Sequence, residues 1–407
     1  SALAILNPKR RDNRYPFTEL SGCGVAFKLV QGLAQYRGLP FETLLPLLEL
    51  LVLSIAQDRV SILGENRIFT YHGLQQINTC PSVAITYLMR LGKIQPGRVD
   101  MASIYYELGP RINAAGRMAH GAESVKLLIA EDHETAEAQS QILDDYNRQR
   151  QDLDQLVTRQ AIELIEQEQT LLQQPILILY RPEWNKGVMG IVAARLADRY
   201  HRPVIILSRS GNFLAGSGRS SGGFDLYQAI QSCSDCLENF GGHIFAAGLT
   251  IREDRLEEFR SRMEAYATKS EHGPQRITPV LAIDAELRPP DISRALLRQI
   301  ELLYPFGTDN ERPLFLVRGM RDAGGSRPVG KAQQHLSLRM TDSYQRIRPI
   351  HGFALGLARY APDITRHCAF ALCFELEENN FYPQSFLQLR VKDLCLESEL
   401  AERLEDK

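Results

Sequence analysis

The chain is expected to be an α/β protein ending in a small β-barrel, and three stretches of its 407 residues point that way. Apolar runs at 175–180 and 203–207 flank a helix-like stretch at 188–200, the spacing of a parallel strand, helix and strand unit. After about Gly273 the texture changes to five short runs, 314–317, 335–340, 350–355, 369–376 and 386–391, divided by Gly, Pro, Asp and Asn. Short strands at that density suit a small barrel, with the oligonucleotide-binding (OB) fold a candidate and a plain sandwich the other solution. Between them, residues 122–173 contain neither proline nor glycine, which predicts helix.

Taken in order, four segments follow: 1–120, 121–173, 174–272 and 273–407. The length fits two or three domains at the usual ~100–200 residues each. The first segment alternates short apolar helical runs, such as 44–54, with turns, and no part of it reads as a complete domain. In the second, Ala138, Ile142, Tyr146, Leu153, Leu156, Val157, Ala161 and Leu164 recur at helical spacing among Gln, Glu, Asp and Arg. That pattern predicts one or two long, solvated connecting helices, with a coiled-coil dimer as the competing reading. The third is the α/β unit and the fourth the barrel.

Composition limits the partners. With 47 Lys and Arg against 49 Asp and Glu, the net charge of -2 draws in no polyanion from a distance. Any nucleic-acid site must be a local basic surface. The seven cysteines are scattered and no signal-peptide pattern opens the chain, so a reducing cytoplasm is the expected compartment. Cys233 and Cys236 form a lone C-x-x-C without the further ligands of a zinc site. No apolar stretch reaches the ~20 residues that span a bilayer.

Two small-residue stretches, read as loops, carry the chemistry. Gly216-Ser217-Gly218-Arg219-Ser220 joins glycines that permit close backbone approach to hydroxyls and a guanidinium that grips phosphate bidentately. Gly241-Gly242-His243-Ile244-Phe245-Ala246-Ala247-Gly248 sets His243 among small residues, where it serves as a hydrogen-bond donor or a general acid. A third cluster, Gly109-Pro110-Arg111-Ile112-Asn113-Ala114-Ala115-Gly116-Arg117, brackets Asn113 with Arg111 and Arg117. Asp58, just after the apolar run 48–56, is a candidate ligand for Mg²⁺ or Mn²⁺ or a helix cap.

These motifs, in their order, resemble the DHH phosphoesterase superfamily and within it the RecJ-type single-stranded-DNA exonucleases of bacteria. Residues 241–248 match G-G-H-x-x-A-A-G, and 109–117 match G-P-R-x-N-A-A-G-R. The stretch A-L-A-I-L-N-P-K-R at 2–10, Gly22-Cys23-Gly24, residues 56–66, 184–192 and 216–220, and Pro305-Phe306-Gly307 continue the likeness. The resemblance implies four parts: the C-terminal part of a DHH phosphoesterase domain, a connecting helix, a DHH-associated nucleic-acid-binding domain and an OB-like barrel.

It also implies a 5′ to 3′ exonuclease of DNA repair and recombination, in which divalent metals, Mn²⁺ or Mg²⁺, generate hydroxide and neutralise charge on phosphorus. Asp58 would ligate metal. Arg111, Asn113, Arg117, Ser217, Arg219, Ser220, Gly241 and Gly242 would hold the substrate, while His243 would bind it and face the scissile bond. Single-stranded DNA, a single-stranded-DNA-binding protein and a helicase are the implied partners. No Asp-His-His triplet occurs, so a form truncated before it is expected, and Asn185 stands where many relatives have histidine. A DHH-type phosphodiesterase of short oligonucleotides and a non-catalytic DNA-binding module are the alternatives.

Overall fold

The computed structural model describes residues 4–220, 223–269, 280–344, 347–366, 368–379 and 385–400. Ala2 and Leu3 of the first motif and the expected boundary at 272/273 lie outside them. The helices are α1 (Gly22–Tyr36), α2 (Leu48–Gln57), α3 (Gly64–Thr79), α4 (Val83–Gly92), α5 (Met101–Ser103), α6 (Gly109–Met118), α7 (Ala122–Leu128), α8 (His133–Gln167), α9 (Lys186–Tyr200), α10 (Leu226–Gln231), α11 (Leu256–Lys269), α12 (Arg294–Glu301) and α13 (Ala361–Thr365). The strands are β1 (Leu177–Tyr180), β2 (Val204–Ser210), β3 (Phe213–Arg219), β4 (Leu237–His243), β5 (Ala246–Ile251), β6 (Ala285–Leu287), β7 (Phe315–Asp322), β8 (Arg327–Val329), β9 (His335–Asp342), β10 (Ile350–Ala354), β11 (Phe370–Asn379) and β12 (Phe386–Leu396). The chain divides into two compact units, one of residues 43–53 and 74–280, the other of 1–42, 54–73 and 281–407.

In the first of these units a five-stranded sheet runs in the order β1-β2-β3-β5-β4. The expected parallel pair is present, with Leu177 beside Val204 and Tyr180 beside Leu207, and α9 connects its strands. Alternation of side chains along the strands gives the sheet two apolar faces. Ile176, Ile178, Ile205 and Leu207 pack with Leu226, Ile230, Phe259 and Met263 of α10 and α11. Leu177, Leu179, Val204 and Ile206 pack with Val188, Val192 and Leu196 of α9 and Val157, Ala161 and Ile165 of α8.

The stretch 122–173 becomes two helices because Asp132 ends the link after α7 and caps α8, accepting from the Thr135 N–H at 2.7 Å. The 35-residue α8 is solvated on one side only. Its buried residues include Ser140, Asp144, Asn147, Asp154 and Thr158, whereas Ala138 and Leu156, expected on the apolar stripe, are exposed. The helix packs on α4, α6, α7 and α9, and these partners select a polar face.

The five strands expected after residue 273 all form, and four of them extend past the C-terminal end of their apolar runs while β10 ends one residue short, whereas the three-residue β6 and β8 escape a hydropathy reading. Pairings run β7 to β11, β11 to β12, β12 to β10, β10 to β9 and β9 back to β7, so five strands close into a ring. Only β10 and β12 in that ring are parallel. Inward residues alternate, as with Phe370, Leu372, Phe374 and Leu376 of β11, and meet Leu336, Leu338, Met340, Leu389 and Val391 in one core. This is the small closed barrel of the OB-like expectation. In the same unit Phe27 of α1 meets Phe69 of α3 edge-on, ring centroids 5.2 Å apart.

Candidate nucleic-acid interface

The two stretches expected as loops are strands. Residues 216–219 lie inside β3, and 241–248 span the β4–β5 hairpin. Gly216 and Gly218 are small for packing: a Cβ on the first would lie 2.9 Å from Leu249 Cγ, and on the second 2.9 Å from Leu226 Cδ2. Being one residue out of phase, Ser217 and Arg219 project from the opposite face of the strand, toward α9. There a Cβ on Gly190 would lie 3.0 Å from Ser217 Oγ and 2.7 Å from Arg219 Nη2. The glycine of the helix leaves room for the guanidinium.

Arg117 reaches the same end of α9 from α6. Its Nη1 donates to the Gly187 carbonyl at 3.1 Å, and a Cβ on Gly187 would meet the Arg117 carbonyl oxygen at 2.4 Å. Arg219 Nη1 donates to the Gly218 carbonyl at 2.8 Å and to Ser217 Oγ at 3.2 Å. Burial lowers the pKa of Arg219, and the charge of Arg117 lowers it further. Burial lowers that of Arg117 too, although its side chain keeps an accessible edge, and Asp154 partly opposes the effect. Both stay cationic, since a guanidinium keeps its proton in proteins. Two like charges are therefore held together against their repulsion.

Around them lie residues that the sequence did not single out. On α8, Asn147 Oδ1 accepts from Arg150 Nη2 at 2.9 Å. Asp154, 5% exposed at its side chain, accepts from Arg195 Nη2 of α9 at 2.8 Å. Burial, above all, lowers the pKa of Arg150; Asp154 raises it, and the charges of Arg117, Arg195 and Arg111 lower it. Arg117, Arg150 and Arg195 thus gather around one carboxylate, Asp154.

The remaining expected residues divide. Arg111 does not join the open cluster: Nε contacts Asp144 at 3.2 Å, Nη1 donates to the Glu107 carbonyl at 2.6 Å and Nη2 to the Leu91 carbonyl at 3.0 Å. With its donors so placed, it ties α4 and α6 to α8. Asn113 is exposed on α6. Ser220 Oγ donates to the Phe224 carbonyl at 2.7 Å, shaping the chain after β3. Gly242, at φ 151°, is required as glycine because a Cβ would meet the Ala246 carbonyl oxygen at 2.3 Å; Gly241 faces open space. His243 ends β4 at the exposed tip, beside exposed Ile244 and Phe245. Asn185 caps α9, accepting from the Gly187 N–H at 2.8 Å.

Asp58 belongs to the other unit. It follows the last residue of α2, exposed, with Ser54 Oγ donating to it at 2.9 Å. A carboxylate at a helix C-terminus adds to the negative end of the dipole and favours a nearby cation. Among the described residues, the three acid, thiol or imidazole groups close enough to share one ion are Asp235, Cys236 and Glu258. There Arg262 already lies 2.7 Å and 2.8 Å from the two Asp235 oxygens. Asp58 brings one carboxylate where Mg²⁺ takes about six ligands. The described residues do not by themselves fit a divalent-metal centre.

Comparison with known proteins matches this architecture. The DHHA1 domain family matches residues 173–269 and the RecJ OB domain family 283–393. The single-stranded-DNA-specific exonuclease RecJ of Salmonella typhimurium is 30% identical over 418 residues, covering 97% of this chain and 70% of that protein. The chain belongs to the RecJ family. RecJ of Bacillus subtilis is 32% identical over 97% of this chain, yet the match covers 49% of that protein. The crystal structure of RecJ with Mn²⁺ from Thermus thermophilus superposes with a TM-score of 0.80 at 27% identity, over 95% of this chain and 54% of that one. The chain thus spans about half the length of these two relatives.

Within the RecJ framework the signal for the overlooked residues was present in another form. Ser140, Asp144, Asn147, Asp154 and Thr158 follow helical spacing, but in polar residues, and a search for apolar periodicity passes over them.

Proposed function

We propose that this chain holds the 5′ end of single-stranded DNA for a metal-dependent 5′ to 3′ exonuclease of the RecJ type. The observation behind this reading is the convergence of Arg117, Ser217 and Arg219 beside Gly187 and Gly190. Guanidinium forks match the paired oxygens of a phosphate, and their mutual repulsion falls when an anion sits between them. A terminal phosphate carries more charge than an internal diester, so the strand end is the favoured ligand. The hairpin tip at His243, with Ile244 and Phe245, offers surface for the adjoining nucleotides, and an OB-like barrel is itself a fold suited to single strands.

Relatives solved with Mg²⁺ and Mn²⁺ support a divalent cofactor, toward which Asp58 is this chain's contribution. Arg111 supports the fold of the site rather than the phosphate. We read the chain as the four segments 1–120, 121–173, 174–272 and 273–407. Single-stranded-DNA-binding protein and a helicase are the expected partners, and the cytoplasm the expected compartment, in keeping with a fold whose described helices include none long and apolar enough to cross a membrane.

The test is end-selective binding. Arg219→Ala should weaken capture of a 5′-phosphorylated oligonucleotide about tenfold, the usual scale for a charged hydrogen bond, and that of a 5′-hydroxyl one much less. Equal losses on both ends would reduce Arg219 to a structural part of β3. The 407-residue polypeptide itself should bind single-stranded DNA with little or no Mn²⁺-dependent degradation. Robust 5′ to 3′ digestion by it would show that Asp58 acts with donors already in this chain.

A further inference from the structure

We propose that Arg150 of α8 is a third guanidinium arm of the phosphate site, acting on the same phosphate as Arg117; the inference rests on the reading of that site given above. Arg150 lies on the face of α8 that carries Asn147 and Asp154, both buried, and that helix packs on α6, the helix of Arg117, and on α9. Its Nη2 is held by Asn147 Oδ1 at 2.9 Å. Its Nε is buried and meets no acceptor among the described residues.

Two circumstances make this arrangement hard to explain as packing alone. A buried donor left unmade is unfavourable, and native structures rarely keep one without a reason. The second circumstance is charge. Asp154 is the carboxylate acting on Arg150, but one of its oxygens already accepts from Arg195 at 2.8 Å. Arg117, Arg195 and Arg111 all oppose the Arg150 charge. A guanidinium kept only for stability would have its Nε paired as its Nη2 is, and a counter-ion of its own. Here a half-buried cation keeps a spare donor within the opposing field of other cations.

Phosphate oxygens satisfy both shortfalls at once, by accepting from Nε and by neutralising the cluster. Asn147 then has a defined part as a positioning residue, fixing the guanidinium plane through its amide oxygen. The long helix becomes a wall of the site as well as a link between segments.

The experiment measures binding of a 5′-phosphorylated single-stranded oligonucleotide by anisotropy, and thermal unfolding with and without inorganic phosphate, for Arg150→Gln, Arg150→Lys and Arg219→Ala. Arg150→Gln should lose about tenfold in affinity, as expected for one charge-assisted contact. In phosphate-free buffer its Tm should hold or rise, since a repelled charge has gone, while the stabilisation by phosphate shrinks. Arg150→Lys, which keeps the charge without the fork, should fall between, and it carries the test should the glutamine variant fail to fold.

Unchanged affinity and unchanged phosphate stabilisation in either variant would overturn the assignment. So would a fall in Tm with binding retained, which is the mark of a structural role. Loss in Arg219→Ala but not in Arg150→Gln would reject Arg150 alone; no loss in any of the three would reject the phosphate site itself.

Discussion

At the scale of single residues, two glycines in the first turns of α9 have different neighbours and different expected behaviour. Helical glycine is unfavourable by about 1 kcal/mol relative to alanine, so both positions invite substitution unless space forbids it. At Gly187 the obstacle is backbone, the Arg117 carbonyl oxygen at 2.4 Å. Gly187→Ala should therefore cost about 1–3 kcal/mol through overpacking, visible as a lower Tm. At Gly190 the obstacle is the end of a side chain, Arg219 Nη2 at 2.7 Å. Gly190→Ala should keep or slightly raise stability while displacing the guanidinium and weakening capture of a phosphorylated end. A Gly190→Ala protein that binds normally would separate Arg219 from phosphate recognition.

At the scale of elements, α8 decides how the arginines are held. Asp154, nearly inaccessible, faces Arg195 directly and attracts Arg117 and Arg150. Removing one partner of a buried ion pair typically costs about 3–5 kcal/mol, because the other charge is stranded. Because Arg195 is 47% exposed at its side chain and water can screen it, Asp154→Ala should cost less than that in chemical denaturation, with the loss partly recovered on adding phosphate, and no recovery would mean that the anion and Asp154 do not share a cluster. The same helix shows where sequence reading stops. Strands such as β11 and β9 were legible because their inward residues alternate, and the β1–α9–β2 unit because its apolar runs are short and evenly spaced. The buried face of α8 was not, since Asn147 and Asp154 look like solvent residues until α6 and α9 are set against them. Likewise Gly216 and Gly218 read as a loop because glycine is common in turns; only the positions of Leu249 and Leu226 reveal that a strand needs them.

For the whole molecule, net charge and local charge make separate demands. At -2 overall the protein has no broad field to steer a strand, so binding must rest on the few guanidinium groups gathered beside α9. Each phosphate neutralised on a single strand contributes about -0.7 to the slope of log affinity against log salt. Three guanidinium groups on one phosphate predict a slope of only about -0.7, and a slope steeper than about -5 from a salt titration would point to an extended basic track instead. The closed ring of the other unit carries a consequence of a different kind, in time. During synthesis β7, β9, β10 and β11 emerge first, leaving β10 and β11 as two open edges, and only β12 bridges them. Of the five ring strands, the one that leaves the ribosome last is thus the keystone of the barrel. Until residues 386–396 arrive, the nascent chain exposes strand edges that invite misassociation.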